Sequence, residues 1–125
     1  MKKLIFLSLF LFSKTFAFEN IKVDFGNFSL NKYEITIQEF KNYAKKNNLV
    51  TEAEKTGGGY EWGAGWEKRP GWTYKTPYGE NPNSELEPAV HISRYEAENY
   101  CKSINGRFPT FDEWSYAAYQ QIFES

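Results

Sequence analysis

The chain is poor in the residue types that ligate metals and staple small folds. Its 125 residues hold one cysteine and one histidine. A single Cys excludes an intramolecular disulfide framework and a four-cysteine zinc site. A single His excludes a histidine metal triad. Basic and acidic residues, 15 and 16, balance to a net charge of −1, so no basic stripe marks a nucleic-acid footprint. Aliphatic residues are scarce as well: residues 18–125 contain 12 Leu, Ile and Val against 20 Phe, Tyr and Trp. A core made of such residues is irregular, with hydroxyl and indole tips that need partners. At this length the chain holds one domain at most.

What is present begins with an apolar run, Leu4 to Phe12, preceded by Lys2 and Lys3 and broken by Ser13-Lys14. Thr15 and Ala17 stand where a signal peptidase needs small residues. This layout reads residues 1–17 as a secretory signal peptide and residues 18–125 as the mature chain. The run is too short to span a bilayer, which takes roughly 20 residues. The expected location is therefore secreted or periplasmic, with no transmembrane span after cleavage. Losing the leader removes three lysines and brings the net charge to −4, which disfavours anionic lipid and nucleic acid alike.

Three sites pair Ser or Thr with Glu three residues later, the arrangement in which hydroxyl and carboxylate satisfy each other's backbone amides at a helix start. Thr36 with Glu39 opens a helix to about Lys46, with Ile37, Phe40 and Ala44 on one face. Ser93 with Glu96 opens a second to about Ile104, whose Ala97, Tyr100, Cys101 and Ile104 form an amphipathic stripe. That stripe places Cys101 on the buried face. Gly106 is the natural left-handed residue ending this helix. Thr110 with Glu113 opens a third, which carries Trp114, Ala117 and Ala118 inward. Ile21 to Phe25 and Phe28 to Ile35 read as short strands. Gly57 to Pro82 holds seven Gly, three Pro and six aromatics without a period. It is expected to be an irregular segment pinned by its own rings.

No catalytic constellation is visible. His91 reads as structural, and Glu52/Glu54, Glu85/Glu87 and Asp112/Glu113 read as capping or solvated carboxylates, with no EF-hand spacing. Gly57-Gly58-Gly59 lacks the Lys-Ser/Thr of a phosphate loop. Trp62, Trp66 and Trp72 are candidates for a surface on which a glycan or peptide stacks.

The ordered runs Pro88-Ala89-Val90-His91-Ile92-Ser93, Glu96-Ala97, Tyr100-Cys101, Asn105-Gly106-Arg107-Phe108-Pro109-Thr110 and Glu113-Trp114-Ser115-Tyr116-Ala117-Ala118 resemble the formylglycine-generating enzyme (sulfatase-modifying factor) family. Upstream, Tyr33-Glu34-Ile35-Thr36 with Phe40, and Thr51-Glu52-Ala53-Glu54 with Gly57, are similar to further motifs of that family, as is Trp72 to Pro77. The resemblance covers residues 21–119. It implies an irregular α+β, C-type-lectin-like fold, of which residues 18–125 make the N-terminal portion and which stops short at the C-terminus. It assigns Ser93, Glu96, Cys101, Arg107, Pro109, Thr110, Glu113 and Trp114 to the structural motif. The family's oxidase members convert a substrate cysteine to formylglycine with copper held by two cysteines. Cys101 matches the helix cysteine, not that pair, so no copper, other cofactor or catalytic residue carries over. The implied protein is a domain without oxidase activity of its own, as a truncated product or as half of a domain completed by a second chain. The alternatives are a lectin-like binding module and half of an enzyme active once completed.

Overall fold

The computed structural model describes residues 22–124; the expected leader, residues 1–17, and Ile21 lie outside them. Four helices and two small two-stranded sheets make an α+β architecture. In chain order these are β1 (Lys22–Asp24), β2 (Ser29–Asn31), α1 (Ile37–Lys46), α2 (Glu52–Thr56), β3 (Gly58–Trp62), β4 (Trp66–Pro70), α3 (Arg94–Ser103) and α4 (Phe111–Glu124). Both sheets are antiparallel hairpins, β1 with β2 and β3 with β4.

The helix starts follow from local chemistry. At α1 the Thr36 hydroxyl accepts from the Glu39 amide at 3.2 Å while Glu39 accepts from the Thr36 amide at 2.8 Å. The same reciprocal pair opens α3 at Ser93 and Glu96. A fourth box, Thr51 with Glu54, opens α2. Its spacing lies within Thr51-Glu52-Ala53-Glu54, one of the motifs that carry the family resemblance.

The expected stop at Gly106 is corrected by one residue. Asn105 is the left-handed position, with φ of 57°. The Gly106 amide then reaches the Cys101 carbonyl at 2.7 Å and the Asn105 amide that of Lys102 at 3.1 Å. Asn tolerates this conformation because its short side chain strains little there. Asn48, with φ of 50°, ends α1 in the same way.

The segment 57–82 is also corrected, since it contains the β3–β4 hairpin rather than irregular chain throughout. Gly63-Ala64-Gly65 forms the turn, closed by the Gly63 amide on the Gly65 carbonyl at 3.0 Å. At the hairpin's base, Gly59 lies under His91, where a Cβ would fall 2.2 Å from the ring Nδ1. The imidazole Nε2–H donates to the Pro77 carbonyl at 2.8 Å, so His91 fastens the hairpin to the following loop.

The core is centred on α1. Ile37, Phe40 and Ala44 are buried, as their spacing predicts, together with Tyr74 and Tyr100. Phe40 meets Tyr74 edge-on at 4.9 Å and Tyr100 at 5.9 Å, while Tyr43 meets Tyr100 edge-on at 5.3 Å. Tyr74 comes from the aromatic segment, so part of that segment does build the core. The α3 and α4 expectations hold less well. Cys101 is only half-buried, Ile104 is exposed, and Trp114 is 59% exposed instead of facing inward; Ala117 alone of the α4 trio is buried. Among the described residues, what meets this side is the β1–β2 hairpin, whose Phe25 and Phe28 touch Tyr116.

Candidate functional site

The motif residues assemble around the ends of α3. Glu96 is 6% exposed. One of its oxygens accepts from the Ser93 amide at 2.8 Å and the other from the Glu52 amide at 2.7 Å. One carboxylate therefore holds the first turns of both α3 and α2, helix ends where negative charge is favoured. The Ser93 half was legible from spacing; the link to Glu52 joins residues 44 apart and had no sequence signal.

At the other end, Pro109 lies in the link from α3 to α4, and Arg107 grips Glu113 with both Nη atoms, at 2.8 and 2.7 Å. Glu113 also accepts from the Thr110 amide at 2.8 Å, and the Thr110 hydroxyl accepts from the Glu113 amide at 3.2 Å. The guanidinium, reinforced by the Thr110 amide, pulls the Glu113 carboxyl down to about 2, and Glu113 raises Arg107 in turn. This fixes the direction in which α4 leaves α3. Trp114 and Phe111 nonetheless project outward.

Cys101 sits where two clefts meet. One, of about 560 Å³, runs along Ile35, Val90, Ile92 and Tyr100. The other, of about 690 Å³, follows residues 27–35 and 104–109 to Trp114. Both include Glu34, Ile35, Cys101 and Phe108. A third cleft, of about 260 Å³, continues from Leu30 and Trp114 to Ala117 and Ala118. Burial pushes the Cys101 thiol up, which keeps it protonated and makes it a poor nucleophile and metal ligand. The copper of the family's oxidases needs two thiolates. These residues do not fit it: the chain has one cysteine, and no three His, Cys, Asp or Glu side chains converge among the described residues.

The three tryptophans fall into two places. Trp62 and Trp66 face each other across the hairpin next to its turn, edge-on at 5.3 Å and 64% and 70% exposed. Trp72 lies at the base, where its carbonyl accepts from the Gly59 amide at 2.7 Å. It is half-buried against Tyr78 at 5.4 Å and His91 at 5.6 Å. Three residues of strand, about 10 Å, separate the two places.

An α1-centred aromatic core, four capped helices and an Arg–Glu clamp between α3 and α4 make a small α+β structure whose sequence is that of the sulfatase-modifying factors. The chain belongs to this family: the profile of the sulfatase-modifying factor enzyme 1-like domain matches residues 11–121. It is similar to the formylglycine-generating enzyme of Thermomonospora curvata, at 27% identity over 113 residues, covering 73% of this chain and 37% of that protein. It is also similar to the formylglycine-generating enzyme of Mus musculus, at 24% identity over 119 residues, covering 77% of this chain and 32% of that protein. The chain thus spans about a third of the length of the curated relatives it matches. Among the described residues no helix is long and apolar enough to cross a membrane.

Proposed function

We infer that this chain is exported under residues 1–17 and supplies the N-terminal portion of a C-type-lectin-like sulfatase-modifying-factor domain. In this reading it has no copper oxidase of its own and works as one part of a domain completed by a second polypeptide. The observation that carries the reading is the single cysteine in a chain that belongs to the family. One half-buried thiol, held protonated, cannot reproduce a two-thiolate copper site. The formylglycine-generating chemistry of the two relatives, if it involves this chain, belongs to the completed assembly. The test is oxygen consumption by the purified chain with Cu(I) and a cysteine-containing peptide. The expected rate is that of copper and peptide alone; copper-dependent turnover that is lost in Cys101→Ser overturns the reading.

A second reading is favoured by the Trp62–Trp66 pair, two indoles left largely in water at a hairpin turn. Such faces stack on the C–H side of a sugar or on a peptide's rings. In this reading the chain is a binding module, and Trp72, packed on Tyr78 and His91, supports the hairpin from below. A shift of tryptophan emission on titrating a glycan or peptide, lost in Trp66→Ala, supports it; identical titrations for both chains remove it.

A further inference from the structure

The distal end of the β3–β4 hairpin is a run of five residues without a charge, Trp62-Gly63-Ala64-Gly65-Trp66. Cross-strand pairing sets Trp62 opposite Trp66, with Tyr60 opposite Lys68 behind them on the same face. Both indoles are exposed, as are Tyr60, Gly63 and Ala64. Single exposed rings need no explanation, whereas a contiguous group of them marks an interaction surface. The hairpin's charges are set back from this tip and engaged with one another. Arg69 donates from Nε to Glu61 at 2.8 Å and reaches Glu67 from Nη2 at 3.2 Å. Glu61 and Glu67 stand opposite each other, a like-charge pair that the shared guanidinium offsets. Lys68 donates to the Thr56 carbonyl at the end of α2, where a cation is favoured. Two acidic and two basic residues leave residues 58–70 with no net charge. At the base, the Gly59 amide donates to the Trp72 carbonyl at 2.7 Å and the Gly71 amide to that of Gly57 at 3.0 Å. A braced, neutral stem thus carries an uncharged aromatic tip.

These features narrow the partner. A sugar or peptide lying on the indoles is oriented by polar side chains placed beside them. Here Glu61, Glu67 and Arg69 lie on the opposite face and are bonded to one another, and Lys68 is bonded to Thr56. A bilayer surface needs no such groups. Indole is enriched at membrane–water interfaces because its body is apolar while its N–H stays wet. The small residues between the two indoles enter that layer without bringing a charge. Arg69 lies three residues, about 10 Å, behind the pair. With the indoles seated about 5–10 Å into the headgroup boundary, the ion pairs therefore remain among the headgroups. A stem with both signs of charge and no excess of either matches zwitterionic headgroups, and the chain's net charge of −1 supplies no attraction to anionic ones.

We propose that the Trp62-Gly63-Ala64-Gly65-Trp66 tip seats the protein on the surface of a zwitterionic phospholipid bilayer, with both indoles at the headgroup boundary. The binding-module reading above uses the same indole pair, but the partner here is a lipid surface. The completed-domain reading is not needed for it.

The test is paramagnetic broadening by phosphatidylcholine vesicles that carry lipid spin-labelled at the headgroup. It is read by NMR on the indole N–H signals and the Ala64 amide of the 125-residue chain. The apolar run Leu4 to Phe12 enters lipid by itself, so the site of broadening, not vesicle binding alone, decides. Trp62, Trp66 and Ala64 are expected to lose intensity, while Trp72 at the hairpin base and Trp114, exposed on α4, keep theirs. Ala64→Asp puts a charge into a turn that accepts Asp, and is expected to weaken the effect about threefold or more. Ala64→Leu is expected to strengthen it by about the same factor. Replacing Trp62 and Trp66 together by Ala is expected to weaken it about tenfold or more; should that variant lose the hairpin, the two Ala64 variants decide. Broadening at Trp114 equal to that at Trp62 and Trp66, or broadening that Ala64→Asp leaves unchanged, overturns the proposal. A glycan or peptide that shifts tryptophan emission alike in wild type and Ala64→Asp, with no broadening of Trp62 and Trp66 by vesicles, overturns it and leaves the binding-module reading standing. Neither broadening nor a shift overturns both.

Discussion

The two helical halves of this molecule use the same local grammar and end in opposite states. Around α1, a capping box at Thr36 opens a helix whose Ile37, Phe40 and Ala44 close against Tyr74 and Tyr100, leaving Phe40 1% exposed. Around α4, a capping box at Thr110, locked by Arg107, opens a helix whose Phe111, Trp114 and Tyr119 are 81%, 59% and 62% exposed. A helix start needs only its own first turn, whereas burial needs something to pack against. The difference teaches that α4 is held in direction by polar contacts at its start and only sparsely by an apolar seat.

The comparison breaks most sharply under truncation of one ring in each half. Phe40→Ala is expected to cost about 3–5 kcal/mol through lost burial and the cavity left behind. Trp114→Ala is expected to cost about 0.5 kcal/mol or less, as for exposed sites. Urea unfolding of the two variants checks this; equal losses would mean that the α4 side is packed as well as the core.

Next in size is Glu96→Ala. It removes the acceptor of the Ser93 and Glu52 amides together, two part-buried helix-start bonds whose loss is expected to cost about 1–2 kcal/mol. The unfolding midpoint should fall accordingly, with α2 exchange rising alongside α3. Thr36→Ala removes a cap from a helix already fixed by its core and is expected to cost about 1 kcal/mol by the same measurement.

The smallest effect is local and depends on pH. The Glu113 carboxyl lies near 2 when folded, below its usual 4.5. A depressed carboxylate contributes stability above the unfolded value and loses it as pH falls through the folded one. The Arg107–Glu113 clamp should therefore weaken between pH 4.5 and about 2, loosening the start of α4 before the α1 core. Carboxyl titration by NMR in wild type and Arg107→Ala checks it: the variant's Glu113 titrates closer to 4.5.

What was legible in the sequence was local. Thr36, Ser93 and Thr110 announce their helices because hydroxyl and carboxylate sit three residues apart, and the i, i+3, i+7 spacing of Ile37, Phe40 and Ala44 marks a buried face. Periodicity says which residues share a face, not whether anything covers it, so Trp114 shares the face of Ala117 and yet is exposed. The β3–β4 hairpin leaves no apolar alternation in the sequence because its regular face, Tyr60, Trp62, Trp66 and Lys68, points into water; its one local signal is the Gly63-Ala64-Gly65 turn. The family was legible in ordered motifs from residue 33 to residue 118, and the profile match over 11–121 bears it out. The clefts beside β2 were not legible, since they join residues 27–35 to 101–118 through tertiary placement alone.

The most direct test of the contrast between the halves is residue-resolved amide exchange of the isolated chain at neutral pH. Amides of α1 and α3 around Phe40 and Tyr100 are predicted to exchange together and slowly, limited by global unfolding. Those of α4 from Trp114 to Ala118 are predicted to exchange faster by about tenfold or more, through local opening. Equal protection across α1, α3 and α4 would contradict the account.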